Sequence, residues 1–237
     1  LITSSAASDV YKRQLEQSHR VPRTVHTLAE KVVNRINHRF PKTYRPRDEM
    51  GSVQRIVDVN QLSMAHGSWL IMAHANYMLH PIANTLKEQG YLFTRGHDQR
   101  SIPEKMSVAI NAWEQLRKGK AVHMGAVKAI YSFMSGNNIR IKRGFKKIEA
   151  DDDVLLDLKT LQAHHGLLVG EEMIWHEAMD KIPDKDRAYI VAMLRRGEKF
   201  NAKPRIRLST IHGTKGGEAE NVVLMLDLTN AALELSL

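Results

Sequence analysis

The groups best suited to chemistry in this chain of 237 residues cluster late, in Ser209-Thr210-Ile211-His212-Gly213-Thr214-Lys215-Gly216-Gly217-Glu218-Ala219-Glu220-Asn221-Val222-Val223. The Thr210 hydroxyl and the His212 imidazole can hydrogen-bond phosphate oxygens, and Lys215 adds a positive charge. Gly216 and Gly217 let backbone amides approach an anion closely and permit positive φ. Glu218 is poorly suited to phosphate, but its carboxylate could accept hydrogen bonds from ribose hydroxyls. Spacing alone leaves two readings open: a loop facing phosphate, or a glycine-rich turn with incidental polar residues.

These residues need a frame. Residues 205–212 alternate, with Ile206, Leu208 and Thr210 on one face and Arg205, Arg207 and Ser209 on the other, which predicts a strand. Its end would deliver Thr210 and His212 to the C-terminal edge of a sheet, where α/β folds place ligands. Val222-Val223-Leu224-Met225-Leu226 is fully apolar and reads as a central strand. The connection 213–220 is shorter than the dozen or so residues of a usual parallel crossover, so spacing predicts a hairpin.

Upstream, Trp69-Leu70-Ile71-Met72-Ala73 has the length of a buried strand, and Val53 to Val57 reads as a shorter one. A helix over 81–89 closed by Gly90, then a strand over 91–94, completes an α/β layer. After Pro22, the spacing of Val25, Leu28, Val32, Val33 and Ile36 predicts a helix ended by Pro41, with loop over 41–51. From 102 to 200 the sequence predicts helices without strands, over 103–118, 122–135, 152–165, 171–181 and 184–196. The organisation expected is an α/β layer over 15–101 and 201–234, interrupted by a helical insertion over 102–200.

Thr-x-His-x-x-Lys-Gly-x-Glu between two strands resembles motif V of superfamily 1 DNA helicases of the UvrD/Rep type, closest to their compact phage and bacterial members. Leu15-Glu16-Gln17-Ser18-His19-Arg20-Val21-Pro22 resembles motif IV, and Leu70-Ile71-Met72-Ala73-His74-Ala75-Asn76 resembles the strand ending in Arg-Thr-Asn. All three occur in the family's order, and the insertion falls where these helicases carry an accessory domain. The resemblance implies a RecA-like, P-loop-NTPase-type second motor domain, with the short connection joining parallel strands rather than a hairpin.

It also implies roles. Arg20 matches the catalytic arginine that reaches the γ-phosphate of ATP, where such a cation can be worth ~10³–10⁵ in rate. Gln17, Gly216 and Glu218 match ATP-binding positions, with Glu218 on the ribose. Thr210, His212, Lys215 and Asn76 match contacts to single-stranded DNA. The implied enzyme is an ATP-dependent 3′→5′ DNA helicase using ATP and Mg²⁺, cytoplasmic, with an N-terminal RecA-like domain as its partner in the motor. The sequence departs from the pattern at His74, where arginine is usual, at His19 for tyrosine, and at Gly217 for an apolar residue. It contains no Gly-x-x-x-x-Gly-Lys-Ser/Thr, so this stretch is not expected to hydrolyse ATP alone.

Charge agrees with a polyanionic partner: 35 Lys and Arg against 26 Asp and Glu give +9 and a pI near 9.7. The patch Arg140-Ile141-Lys142-Arg143-Gly144-Phe145-Lys146-Lys147 could grip duplex DNA through Arg140, Lys142 and Arg143, or be a solvated basic turn. Without cysteine there are no disulfides, thiolate zinc sites or thiol catalysis. No window approaches the ~18 apolar residues of a membrane span, so no membrane partner is expected. Asp151-Asp152-Asp153 is read as a helix N-cap and His164-His165 as a helix end, with no metal site at either. Trp69, Trp113 and Trp175 are read as core. Residues 8–14 resemble a translated sequencing adapter, as do 235–237, so 1–14 and 235–237 are expected to be non-native. Two other accounts stay open: a non-catalytic nucleic-acid-binding protein on a degenerate helicase fold, or the helicase part of a helicase–nuclease.

Overall fold

A computed structural model describes residues 16–39, 43–96, 98–147 and 151–227. Both adapter-like termini, and Pro41 as a helix stop, lie outside the described residues. The chain forms two compact units, divided after Gln61.

In the first unit, β1 (Gln17–Pro22) pairs in parallel with β2 (Arg45–Arg47), and α1 (Arg23–Val33) follows β1 directly. The first amide groups of a helix lack intrahelical acceptors. Here Arg23 N–H donates to the Glu49 carbonyl at 3.0 Å and Thr24 N–H to Met50 at 2.9 Å. Two expectations fail in this unit. Val53 to Val57 forms no strand, while β2 lies inside the predicted loop over 41–51. Arg-Pro-Arg carries no apolar alternation, and it is strand only because β1 supplies the ladder.

The second unit holds a mixed sheet in the order β5-β4-β8-β3-β9, formed by β3 (Trp69–Ala73), β4 (Phe93–Arg95), β5 (Gln99–Arg100), β8 (Ile206–Thr210) and β9 (Asn221–Leu224). β3 and β8 run parallel in full register from Trp69 opposite Ile206 to Ala73 opposite Thr210. β9 is parallel to the other side of β3, and β4 to the other side of β8. Only β5 is antiparallel. The hairpin expected from spacing is therefore wrong. β8 and β9 do not pair with each other; the connection crosses β3 and includes one helical turn, His212–Thr214.

β9 also differs from expectation, since it ends the sheet order and leaves Val222 and Leu224 about half exposed, at 55% and 48%. An all-apolar run signals low polarity on both faces, but it does not specify how many neighbours the strand has.

α2 (Leu79–Glu88) buries Leu79, Ile82, Ala83 and Leu86 and packs on β8. The helical segment then adds α3 (Glu104–Arg117), α4 (Met124–Ser132), α5 (Leu158–His164), α6 (Trp175–Ala178) and α7 (Asp184–Arg195) around one apolar cluster. Trp113 is fully buried and Trp175 nearly so, whereas Trp69 is half-buried. The helical segment contains strands as well, contrary to expectation. β6 (Val122–His123) pairs antiparallel with β7 (Leu155–Leu156), and Ile141 bridges to Leu167. Pieces of two residues are too short to show periodicity.

The helix expected over 152–165 starts six residues late, and its N-cap is Asp157, whose carboxylate accepts from Thr160 N–H at 2.8 Å. Asp152 instead pairs with Lys128 at 2.7 Å. The helix expected over 171–181 is a single turn. α7 joins the helical segment to the sheet layer. It packs on α2, Lys87 meets Asp186 at 3.4 Å, and Tyr189 Oη donates to the Tyr91 carbonyl at 2.8 Å.

Candidate nucleic-acid interface

β3 leads through α2 toward β4 on one side of the sheet order, while β8 leads over β3 toward β9 on the other. Crossovers of this kind are right-handed as a rule, so connections leaving in opposite directions run over opposite faces, the arrangement at which open α/β sheets place ligands beyond the C-terminal strand ends. Side-chain contacts agree. Thr214 of the crossing turn reaches Met72 Sδ at 3.1 Å, and a Cβ on Gly213 would stand 2.7 Å from Ser209 Oγ. The turn thus lies on the face that carries Met72 and Ser209.

Two segments far apart in sequence meet at this edge, with the His74 and His212 rings edge to face and their centroids 6.5 Å apart. His74 is half-buried, and its Nδ1 is enclosed with no hydrogen-bond partner among the described residues. Thr210 Oγ1 accepts from Gly213 N–H at 3.1 Å, so that hydroxyl shapes the turn as well as facing the edge. The Thr214 hydroxyl, nearly buried, donates to the Ile211 carbonyl at 2.8 Å and fixes the turn from inside. His212 and Lys215 are exposed, and Gly216 sits at φ +80° with open space where a Cβ would be. Asn76 is exposed at the start of the turn after β3.

The connection then travels to the opposite edge. Ser68 N–H donates to Glu220 Oε2 at 3.2 Å while Glu220 N–H donates to Ser68 Oγ at 2.9 Å, which locks the N-terminal ends of β3 and β9. Glu218 is exposed between the turn fixed by Thr214 and the anchor at Glu220. One loop therefore spans both ends of the parallel strands, with His212 in the turn at the C-terminal end and Lys215 just after it.

Gln17 and Arg20 belong to the first unit, both on β1. Arg20 is exposed. The Gln17 amide donates to the Pro46 carbonyl at 3.0 Å, so it helps hold β2 in place. In the helical segment, Lys142 and Arg143 are exposed, whereas Arg140 is half-buried and its Nε is enclosed without a partner among the described residues. Lys142 N–H donates to the Gly166 carbonyl and Leu168 N–H to the Arg140 carbonyl, so a backbone bridge presents the basic segment. Contact with Lys181, helped by some burial, holds the Lys146 ammonium below its ordinary range. A cavity of about 700 Å³ opens near Ile110, Glu114, Arg117, Trp175, Leu194 and Phe200, and none of the candidate residues lines it.

Among the described residues no three His, Asp or Glu side chains gather as a metal site would require. No helix among them is long and apolar enough to cross a membrane. Sequence reading missed Arg207. It looked like an ordinary polar-face residue of an alternating strand, yet its guanidinium reaches both the turn after β4 and the turn after β8. Comparison with known protein families, curated proteins and solved structures finds no match for this chain.

Proposed function

We propose that this chain is the C-terminal motor half of an ATP-dependent 3′→5′ DNA helicase, with a RecA-like second motor domain and a helical insertion. One observation carries the reading. The segments 70–76 and 209–217, far apart in sequence, are neighbouring parallel strands whose following turns meet at one sheet edge, His74 beside His212. Lys215 and the Gly216 amide belong to the same loop. Exposed cationic and hydroxyl groups at a switch-point crevice suit a phosphate backbone and select little by sequence.

In the proposed mechanism Thr210, His212, Lys215 and Asn76 hold single-stranded DNA. Arg20 and Glu218 sense ATP, and Gln17 adds to the nucleotide side while it buttresses β2. ATP and Mg²⁺ would be held mainly by a P-loop domain outside this sequence, because the chain carries no such motif. Closure of that P-loop domain onto this one around ATP would move the grip along the strand, in a cytoplasmic enzyme. Lys142 and Arg143 would meet duplex DNA, with Arg140 chiefly supporting the segment.

The test is fluorescence anisotropy of a labelled oligothymidine across a salt series. Each phosphate contact contributes about 0.7 to the slope of log K against log salt for single strands. Lys215→Ala should weaken binding and reduce the slope by about that amount, whatever the sequence of the strand. An unchanged slope removes Lys215 from the grip. The exposed segment 142–147 favours a second reading, a non-catalytic binding module that grips through the insertion. In that case Lys142→Ala with Arg143→Ala abolishes binding and Lys215→Ala leaves it intact.

A further inference from the structure

The guanidinium of Arg207 lies among three glycines. Arg207 sits on β8 in register with Leu70 of β3 and Thr94 of β4. Its Nε donates to the Gly96 carbonyl at 3.3 Å, and its Nη2 donates to the Gly213 carbonyl at 3.4 Å. A Cβ on Gly217 would stand 4.0 Å from Nη1 and 3.0 Å from the Thr214 carbonyl oxygen. One side chain therefore spans the turn after β4, the turn after β8 and the glycine-rich connection toward β9.

Geometry makes this a task for arginine. The guanidinium is a rigid fork of five donors, so a single group can serve carbonyls on separate loops, whereas an ammonium is one point on a flexible stem. Both acceptors are neutral carbonyls, so the positive charge persists beside the loop. A Cβ on Gly217 would stand at ordinary contact distance from Nη1, and its tighter neighbour would be the Thr214 carbonyl of the same loop.

We propose that Arg207 is a positioning residue that holds the loop 211–217 in the shape presenting His212 and Lys215 to a phosphate backbone. The inference rests on the nucleic-acid reading of that loop for its purpose, but not for its mechanical part.

The experiment compares the chain with Arg207→Gln and Arg207→Lys in two measurements. Hydrogen–deuterium exchange of the free protein should show faster exchange across 211–217 in both variants, with β3 unchanged. Oligothymidine affinity should fall about tenfold in both, without a change in salt slope. Unchanged exchange in Arg207→Gln overturns the proposal. So does a slope reduced by about 0.7, which would make Arg207 a phosphate contact itself. Full rescue by lysine also overturns it, because charge alone would then suffice. If the unaltered chain does not bind oligothymidine, the nucleic-acid reading fails, and the exchange result still decides whether Arg207 holds the loop.

Discussion

Gly90 lies tightly against α7 where the helical segment meets the sheet layer, and replacing it measures how firmly they are joined. It follows α2 at φ +73°, and a Cβ there would stand 2.5 Å from the Ala192 carbonyl carbon, 2.6 Å from its oxygen and 2.8 Å from Met193 N. These are backbone atoms of α7, so no rotamer change relieves the overlap, and α7 would have to retreat by about 1 Å to reach ordinary contact. Neighbouring contacts resist that retreat. Arg196 Nε donates to the Gln89 carbonyl at 2.9 Å, and its guanidinium lies 3.8 Å over the Tyr91 ring. Left-handed backbone costs an alanine about 1–2 kcal/mol, and overpacking adds about 1–3 kcal/mol. Gly90→Ala should therefore lose about 2–5 kcal/mol.

Gly119→Ala is the internal control, since φ is +72° but nothing lies within 4 Å of the Cβ position. It carries only the backbone cost, about 1–2 kcal/mol. The entropy that alanine removes from the unfolded chain is common to both variants and cancels in their difference. Equilibrium urea unfolding resolves such a gap in a protein of ordinary stability, about 5–15 kcal/mol. If the two variants agree within about 0.5 kcal/mol, the close approach of α7 to residue 90 is refuted.

Tyr189→Phe removes the hydroxyl that donates to the Tyr91 carbonyl and shares a 2.6 Å bond with Ser101 Oγ, and should cost about 1–3 kcal/mol by the same unfolding assay. Burial raises the Tyr189 phenol to about 12, partly offset by the Ser101 hydrogen bond. Its neutral form is thus favoured in the folded chain, so the associated stability is intact below about 10 and is lost as pH rises toward 12. A tyrosinate absorbance titration of Tyr189→Phe should lack that late-titrating group. Asp157→Ala should lower the thermal midpoint at neutral pH by uncapping α5. Hydrogen bonds from Thr160 hold the Asp157 carboxyl below its ordinary value. Its contribution is therefore present above the ordinary carboxylate range and fades as pH falls through the lowered value, so the two midpoints should converge in acid.

The two central strands of the sheet layer are legible in the sequence because they are five-residue apolar or alternating runs. Trp69 to Ala73 and Ile206 to Thr210 fall where their patterns place them, as do α3 and α7. What escapes is set by partners rather than by local pattern. Arg45–Arg47 is a strand only because β1 lies beside it. Val53 to Val57 has no ladder partner among the described residues, and its apolar residues alone do not make a strand. Spacing predicted a hairpin between β8 and β9, since nothing local reveals that β3 slots between them. At the candidate site, the residue types of Thr210 to Gly217 were legible. The meeting of His74 with His212 follows from strand order, and the reach of Arg207 from the positions of two turns. Neither is encoded in spacing.

The central claim is that nucleic acid lies across the C-terminal ends of β3 and β8. Photo-crosslinking tests it most directly, with an oligothymidine carrying 4-thiothymidine on the unaltered chain and adducts located by peptide mass spectrometry. The account predicts adducts within residues 74–77 and 210–216, suppressed by unlabelled oligothymidine. Adducts confined to residues 140–147, or none at the sheet edge under conditions where the strand is bound, would contradict it.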